Sequence, residues 1–136
     1  MAAEHLSTTE ARRRACILVV DDEPLVAAAI ADTLRLEGYE VETAKNGREA
    51  LEKVAARSYD LILCDLPMPE LDGAGLYHEL ERQQPSLLQR LASVSGSTDV
   101  PEYANFCKRT AVTLLGKPFT LEDLLRLVQR LLGDSR

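Results

Sequence analysis

Short apolar runs alternate with longer segments of helical period along the chain from Cys16 onward. The apolar runs predict five strands: residues 17–20, an alternating stretch around Val41 and Thr43, and residues 61–64, 91–94 and 112–115. Strands with little polar character on either face are typical of a parallel sheet that helices cover on both sides. The pattern therefore predicts strands and helices that alternate around one sheet.

Periodic apolar positions between the strands predict five helices, of which the first has clear ends. Val26, Ile30 and Leu34 recur every four residues, Pro24 suits a first helical turn, and Gly38 suits the C-terminal cap. We therefore expect a helix that begins near Pro24 and ends just before Gly38.

The fifth helix is also well marked at its start. Thr120 followed by Asp123 resembles a capping box with Asp in place of Glu. Apolar residues at helical spacing form its stripe: Leu121, Leu124, Leu125, Val128, Leu131 and Leu132. Shorter patterns at residues 50–55, 76–80 and 100–109 predict the second, third and fourth helices.

This order of elements predicts an α/β fold with a doubly wound, five-stranded parallel sheet. Five β-α units within about 120 residues fit the flavodoxin-like strand order 2-1-3-4-5. We expect residues 15–133 to form one domain, residues 1–14 to be a flexible N-terminal tail, and residues 134–136 to be a C-terminal tail.

Composition narrows the classes of partner. The chain has 22 acidic and 16 basic residues and a net charge of -6, which argues against direct binding of nucleic acid. Three cysteines, two of them in apolar runs, indicate free thiols in a reducing cytoplasm. No segment approaches the roughly 18 consecutive apolar residues of a membrane helix. We therefore expect a soluble cytoplasmic protein without a membrane partner.

Polar residues follow four of the predicted strands, where each strand ends. Asp21 and Asp22 follow the first strand, Asp65 the third, Ser95 the fourth and Lys117 the fifth. Ligands of doubly wound sheets bind outside the carboxyl ends of the strands, so these side chains should meet at one edge.

Three crowded carboxylates repel one another unless a cation joins them, and an oxygen-only ligand set suits Mg²⁺. Mg²⁺ keeps positions open for phosphate oxygens. Phosphoryl transfer needs an in-line nucleophile and positive charge around the phosphoryl oxygens. Asp65 as nucleophile, Mg²⁺ and Lys117 would supply these parts, and Ser95 could hydrogen-bond a phosphoryl oxygen.

Three motifs in this order and spacing resemble those of response-regulator receiver domains of two-component signalling. They are Val19-Val20-Asp21-Asp22-Glu23, Asp65-Leu66-Pro67-Met68-Pro69 with Asp72-Gly73, and Lys117-Pro118-Phe119. The resemblance covers residues 16–132. It implies a phosphoprotein that accepts a phosphoryl group and signals by a change of conformation.

The resemblance also implies a role for each site residue. Asp21 and Asp22 would hold Mg²⁺, one of them partly through water, and Asp65 would bind the ion and accept the phosphoryl group. The backbone carbonyl of Pro67 would complete the protein ligands, and Mn²⁺ could substitute for Mg²⁺. Lys117 would pair with the phosphoryl group, and Ser95 would be the switch residue.

The implied partners are a sensor histidine kinase or a phosphotransfer protein as donor, and an output partner that is not identified. The output partner would bind the face formed by the fourth helix, fifth strand and fifth helix, which could also form a homodimer. Two positions depart from the family's pattern. Leu114 replaces the usual aromatic switch residue, and Pro67 replaces a longer side chain that tunes phosphate lifetime.

Several alternatives stay open from the residues alone. Asp21 or Asp22 could cap the first helix, and Ser97 and Thr98 compete with Ser95. Arg12–Arg14, His5 and His78 are interpreted as solvated, and Cys107 as a packing or surface residue.

The chain could be a single-domain regulator, a receiver from a hybrid sensor kinase, or a docking module that needs no phosphorylation. A phosphatase with an aspartate nucleophile would need an acid two residues later, where Pro67 stands.

Overall fold

The computed structural model describes residues 15–96 and 99–133. Both predicted tails therefore lie outside the described residues, as do Ser97, Thr98, His5 and the basic run at 12–14. The elements follow one another as β1 (Cys16–Val20), α1 (Pro24–Leu36), β2 (Glu40–Ala44), α2 (Gly47–Ala56), β3 (Leu61–Cys64), α3 (Gly73–Gln83), a 3-10 segment (Pro85–Arg90), β4 (Leu91–Ser95), α4 (Pro101–Thr110), β5 (Thr113–Gly116) and α5 (Leu121–Leu131).

The five strands form one parallel sheet in the order β2-β1-β3-β4-β5. The predicted α/β, flavodoxin-like fold is confirmed. Val20 at the end of β1 is level with Ala44 and Cys64, and Ser95 at the end of β4 is level with Gly116. The carboxyl ends of β1, β3, β4 and β5 therefore come together at one edge of the sheet.

The sheet has a hydrophobic core on each face because successive strand residues point to opposite sides. Ile17, Val19, Leu61 and Leu63 pack against α1 and α5. On the other face, Leu18, Val20, Ile62 and Cys64 pack against α2 and α3. Burial on both faces explains why the central strands lack alternation in the sequence.

Helix ends follow the local sequence signals. Pro24 occupies the first turn of α1, and Gly38, just past its end, has the left-handed φ of 99° that glycine adopts without strain. At α5 the Thr120 hydroxyl accepts a hydrogen bond from the Asp123 amide at 2.9 Å, and the Asp123 carboxylate accepts one from the Thr120 amide at 3.3 Å. The predicted capping box is confirmed.

The 3-10 segment between α3 and β4 was not predicted. Leu87 is the buried residue of this segment. The segment directly precedes the apolar run of β4, so the sequence shows no separate helical period there. Within the described parts of the chain, no helix is long and apolar enough to cross a membrane.

We expect the two leucines at the start of α5 to differ sharply in their contribution to stability. Leu124 is fully buried, whereas Leu121 is 59% exposed. Leu124→Ala should lower the free energy of unfolding by about 2–5 kcal/mol, because it removes buried methyl groups and leaves a cavity. Leu121→Ala should change it by less than about 0.5 kcal/mol. Urea denaturation would measure both, and equal losses would contradict the described packing of α5.

Candidate functional site

The candidate site lies at the carboxyl edge of the sheet, and backbone hydrogen bonds that continue beyond the strands fix its residues. The Asp21 amide donates to the Ala44 carbonyl at 3.0 Å, and the Asp65 amide donates to the Val20 carbonyl at 2.9 Å. The Lys117 amide donates to the Ser95 carbonyl at 3.0 Å. The sheet therefore sets where each side chain begins.

Three carboxylates converge at this edge. Asp21, Asp22 and Asp65 each offer an oxygen, and these oxygens lie within 4.8 Å of one another. Asp21 is 3% exposed and Asp65 is 6% exposed, whereas Asp22 faces solvent. Among the described residues, this is the one group of three or more acidic, histidine or cysteine side chains close enough to hold a metal ion.

Each buried carboxylate uses one oxygen for a nearby amide. Asp21 Oδ1 accepts a hydrogen bond from the Glu23 amide at 2.9 Å, and Asp65 Oδ1 accepts one from the Leu66 amide at 2.8 Å. Neither Asp21 nor Asp22 is the N-cap of α1, because Glu23 occupies that position. The Asp21 contact to Glu23 fixes the carboxylate orientation instead.

Lys117 binds the remaining oxygens of both buried carboxylates. Its Nζ lies 3.0 Å from Asp21 Oδ2 and 3.3 Å from Asp65 Oδ2. Burial of the ammonium by itself lowers the pKa of Lys117, but the hydrogen bonds and charges of Asp21 and Asp65 outweigh burial. The pKa of Lys117 is therefore raised above its ordinary value, and the side chain is a cation at neutral pH.

Ser95 ends β4 at the same edge and is fully buried. The structure brings it next to Lys117 in the backbone ladder, because its carbonyl accepts from the Lys117 amide. Its predicted role toward a phosphoryl oxygen stays a prediction.

Pro67 lies in the segment of residues 66–72 that follows Asp65, which we call the site loop. Its predicted use as a backbone ligand also stays a prediction. The Gly73 amide donates to the Leu66 carbonyl at 2.7 Å, and the Gly47 amide donates to the Leu71 carbonyl at 2.9 Å. A methyl group at Gly73 would lie 2.3 Å from the Asp65 carbonyl oxygen. Only glycine lets the backbone of residue 73 lie this close to Asp65, the candidate phosphoacceptor.

Three contributors to the site were not assigned a role from the sequence. Gly47 and Gly73 brace the site loop, and Asp72 caps α3 by accepting a hydrogen bond from the Gly75 amide at 2.8 Å. Asp72-Gly73 stood in the quoted motif, and an Asp before a helix is a recognisable cap signal. The close approaches of the glycines have no such local signal.

The remaining candidates lie away from this edge. His78 is exposed on α3, with Nδ1 3.7 Å from Glu81 and Nε2 3.4 Å from Arg109. Cys107 is half-buried in α4. These two positions agree with their interpretation as surface or packing residues.

The sequence matches the response regulator receiver domain family over residues 17–129. The chain belongs to this family. The geometry at the sheet edge is therefore that of a receiver, a signalling module of two-component systems.

Two relatives that match most of this chain have different names. The chain is 39% identical over 117 residues to a protein-glutamate methylesterase/protein-glutamine glutaminase of Archaeoglobus fulgidus, covering 85% of this chain and 33% of the relative. It is 35% identical over 120 residues to the transcriptional regulatory protein ZraR of Klebsiella oxytoca, covering 88% and 27% respectively. The chain thus spans about a quarter to a third of the length of these relatives.

A solved structure of similar size supports the same fold. The chemotaxis protein CheY4 of Vibrio cholerae matches with a TM-score of 0.76 and 35% identity, over 86% of this chain and 98% of that one. The likeness therefore extends over nearly the whole of a receiver.

The receiver's Leu114 is 37% exposed on β5, and Leu121 at the start of α5 is also exposed. At the position where the resemblance led us to expect an aromatic switch residue, this chain therefore has a partly exposed leucine. The face that contains β5 carries apolar surface in this chain.

We expect Gly73→Ala to disturb the site through the backbone. The new methyl group would lie 2.3 Å from the Asp65 carbonyl oxygen, so the backbone of Asp65 or of residue 73 would have to shift. The free energy of unfolding should fall by about 1–3 kcal/mol, as for other overpacked positions. Gly96→Ala is the matched control, because the nearest atom to its methyl group is 3.4 Å away. Calorimetry of both variants would test this, and an unaffected Gly73→Ala would contradict the close approach.

The raised pKa of Lys117 predicts a stability difference that depends on pH. The ion pairs stabilise the fold fully below the unfolded-state pKa, near the ordinary value of 10.5, and this contribution is lost as pH rises through the higher folded-state pKa. In metal-free buffer, wild type should be more stable than Lys117→Met at pH of about 8, by less than the ~3–5 kcal/mol for fully buried pairs.

Urea denaturation from pH of about 8 to 12 would measure the difference between the two proteins, which should shrink only at the alkaline end. Lys108→Met, at an exposed lysine of α4, is the control. A difference that is absent at pH of about 8, or that persists unchanged through the alkaline range, would contradict this assignment.

Proposed function

We propose that this receiver accepts a phosphoryl group on Asp65, with Mg²⁺ held by Asp21, Asp22 and Asp65. The observation that carries the proposal is the contact of one ammonium, Lys117, with two buried carboxylates beside a third. Three carboxylates and one ammonium leave a formal charge of two negative, which a divalent cation would neutralise. The donors are all oxygens, as Mg²⁺ prefers.

The chain's own residues would divide the work. Asp65 would attack phosphorus with a carboxylate oxygen as the bond to the leaving nitrogen of a phosphohistidine breaks. Lys117 would move its hydrogen bonds toward the phosphoryl oxygens, and the Ser95 hydroxyl would donate to one of them. Bound Mg²⁺ would supply charge neutralisation on the phosphoryl oxygens. The backbone carbonyl of Pro67 is the proposed further ligand.

The surface beside two of the proposed metal ligands is concave. A groove of about 290 Å³ opens beside Asp21 and Asp22, between α1 and the end of β2. Small side chains of α1, among them Ala27, Ala28 and Ala31, form one wall. We propose a sensor histidine kinase or a phosphotransfer protein as the donor.

The output is proposed to pass through the face of α4, β5 and α5, where Leu114 and Leu121 are exposed. Phosphorylation would replace the single negative charge of Asp65 with about -1.5 to -2 at the sheet edge from which α4 and α5 begin. The proposed chemistry is the same for a single-domain response regulator and for a receiver module within a longer hybrid kinase.

Turnover as a phosphatase is disfavoured by the position two residues after Asp65. Enzymes that use an aspartate nucleophile need a proton donor there, and Pro67 has no ionisable group. Self-catalysed phosphotransfer and slow loss of the phosphoryl group are the activities that the proposal includes.

Intact-mass spectrometry after incubation with acetyl phosphate or phosphoramidate and Mg²⁺ would test the proposal. Wild type should gain the mass of one phosphoryl group, and Asp65→Asn should gain none because its amide is not a nucleophile. Asp32→Asn is the matched control, since Asp32 is an exposed carboxylate of α1; it should behave as wild type. Removal of Mg²⁺ with a chelator should abolish the gain.

Two outcomes would refute Asp65 as the acceptor. One is no added mass on wild type, and the other is equal addition to wild type and Asp65→Asn. Rapid multiple turnover of a phosphate ester would instead support a phosphatase.

A further inference from the structure

Tyr103 joins α4 to the site loop. Its hydroxyl donates a hydrogen bond to Asp72 Oδ2 at 3.0 Å, across 31 positions of sequence. The other oxygen of Asp72, Oδ1, accepts from the Gly75 amide and caps α3. One carboxylate at the end of the site loop therefore holds α3 with one oxygen and α4 with the other.

Backbone hydrogen bonds hold the site loop at both ends, in addition to the contacts of Asp72. The Gly73 amide bonds to the Leu66 carbonyl, and the Gly47 amide bonds to the Leu71 carbonyl. Glu70 adopts a left-handed φ of 68°, an unfavourable conformation for a residue with a side chain. Such a conformation persists where surrounding contacts hold it, so the contacts at the loop ends matter for the backbone between them. Pro67 belongs to that backbone.

The attachment of α4 elsewhere is slight. Phe106 is the one buried residue of α4, all of which the structure describes. Its ring meets Tyr77 edge-on at 5.3 Å and His78 at 6.1 Å, both on α3. Tyr103 lies about one turn before Phe106, in the N-terminal half of α4. Its hydrogen bond therefore holds the first half of the helix.

The Tyr103 hydroxyl is a dependable donor. Burial is the largest influence and, with the hydrogen bond to Asp72 and the negative charges of Asp72, Glu102 and Asp65, raises the pKa of Tyr103 to about 12. The hydroxyl stays protonated at neutral pH, and a hydrogen bond from it to a carboxylate is of the stronger, charge-assisted kind.

We propose that Tyr103 is a positioning residue for the metal and phosphoryl site. By holding Asp72 it fixes the site loop with its Pro67 carbonyl, and the same contact makes α4 respond to occupancy of the site. The inference rests on the proposed function. Coupling between two sites is reciprocal, so a contact that helps the site bind Mg²⁺ is also one through which Mg²⁺ binding steadies α4.

Magnesium titrations followed by ¹⁵N NMR would test the effect on the site. Tyr103→Phe keeps the ring and removes the donor, so the Kd for Mg²⁺ should rise by about fivefold, the lower range of such couplings. Tyr77→Phe is the matched control, because the Tyr77 ring contacts α4 while no described residue hydrogen-bonds its hydroxyl. It should leave the Kd unchanged.

Combining Tyr103→Phe with a substitution at Asp72 distinguishes loss of this hydrogen bond from a general loss of packing. Asp72→Ser keeps a capping oxygen for α3 and removes the oxygen that Tyr103 uses. In that background, Tyr103→Phe should have no further effect on the Kd for Mg²⁺. A full fivefold loss there, or a Kd for Tyr103→Phe equal to that for Tyr77→Phe, would overturn the proposal.

Hydrogen exchange gives a readout that needs no bound ion. Without Mg²⁺, Tyr103→Phe should speed amide exchange in residues 102–105 and in the site loop, and Tyr77→Phe should not affect the site loop. Unchanged exchange in the site loop would also overturn the proposal. Failure of the proposed function would show differently, as a wild type that neither binds Mg²⁺ nor gains phosphoryl mass.

Discussion

The shared ion pair of Lys117 with Asp21 and Asp65 is the interaction on which the site depends. Two carboxylates that are 3% and 6% exposed would repel each other without a cation between them. The strand order means that this ion pair needs a long side chain. Lys117 follows β5 and must reach past β4 to residues that follow β3 and β1. A long, flexible lysine stem suits that reach, and the Ser95 carbonyl fixes where it starts.

Features set by neighbouring residues could be predicted from the sequence. The Thr120–Asp123 capping box, Pro24 and Gly38 involve groups a few positions apart, so their chemistry is visible in the chain itself. The site edge was predictable for a different reason. Parallel strands bring their carboxyl ends together, so a polar residue after each strand was enough to group Asp65 with Lys117.

Features that depend on how elements lie against one another had no such signal. Gly73 is required because the Asp65 carbonyl passes 2.3 Å from where its methyl group would be, a distance set by the turn between β3 and α3. The hydrogen bond from Tyr103 to Asp72 depends on how α4 is placed over the site loop. Neither residue type is unusual at its position, so sequence pattern alone could not assign the contact.

The charge balance of the site explains why the end of β4 would respond to phosphorylation. With a divalent ion and Lys117, the three carboxylates are formally neutral under the proposed chemistry. Conversion of Asp65 to an acyl phosphate replaces one negative charge with about -1.5 to -2, which leaves an excess on the phosphoryl oxygens. Lys117 is a single ammonium shared between two carboxylates, so further donors to the phosphoryl oxygens would come from nearby. Ser95 is buried at that edge and ends β4, the strand that precedes α4 in the chain, so its hydroxyl is the proposed further donor to the phosphoryl group.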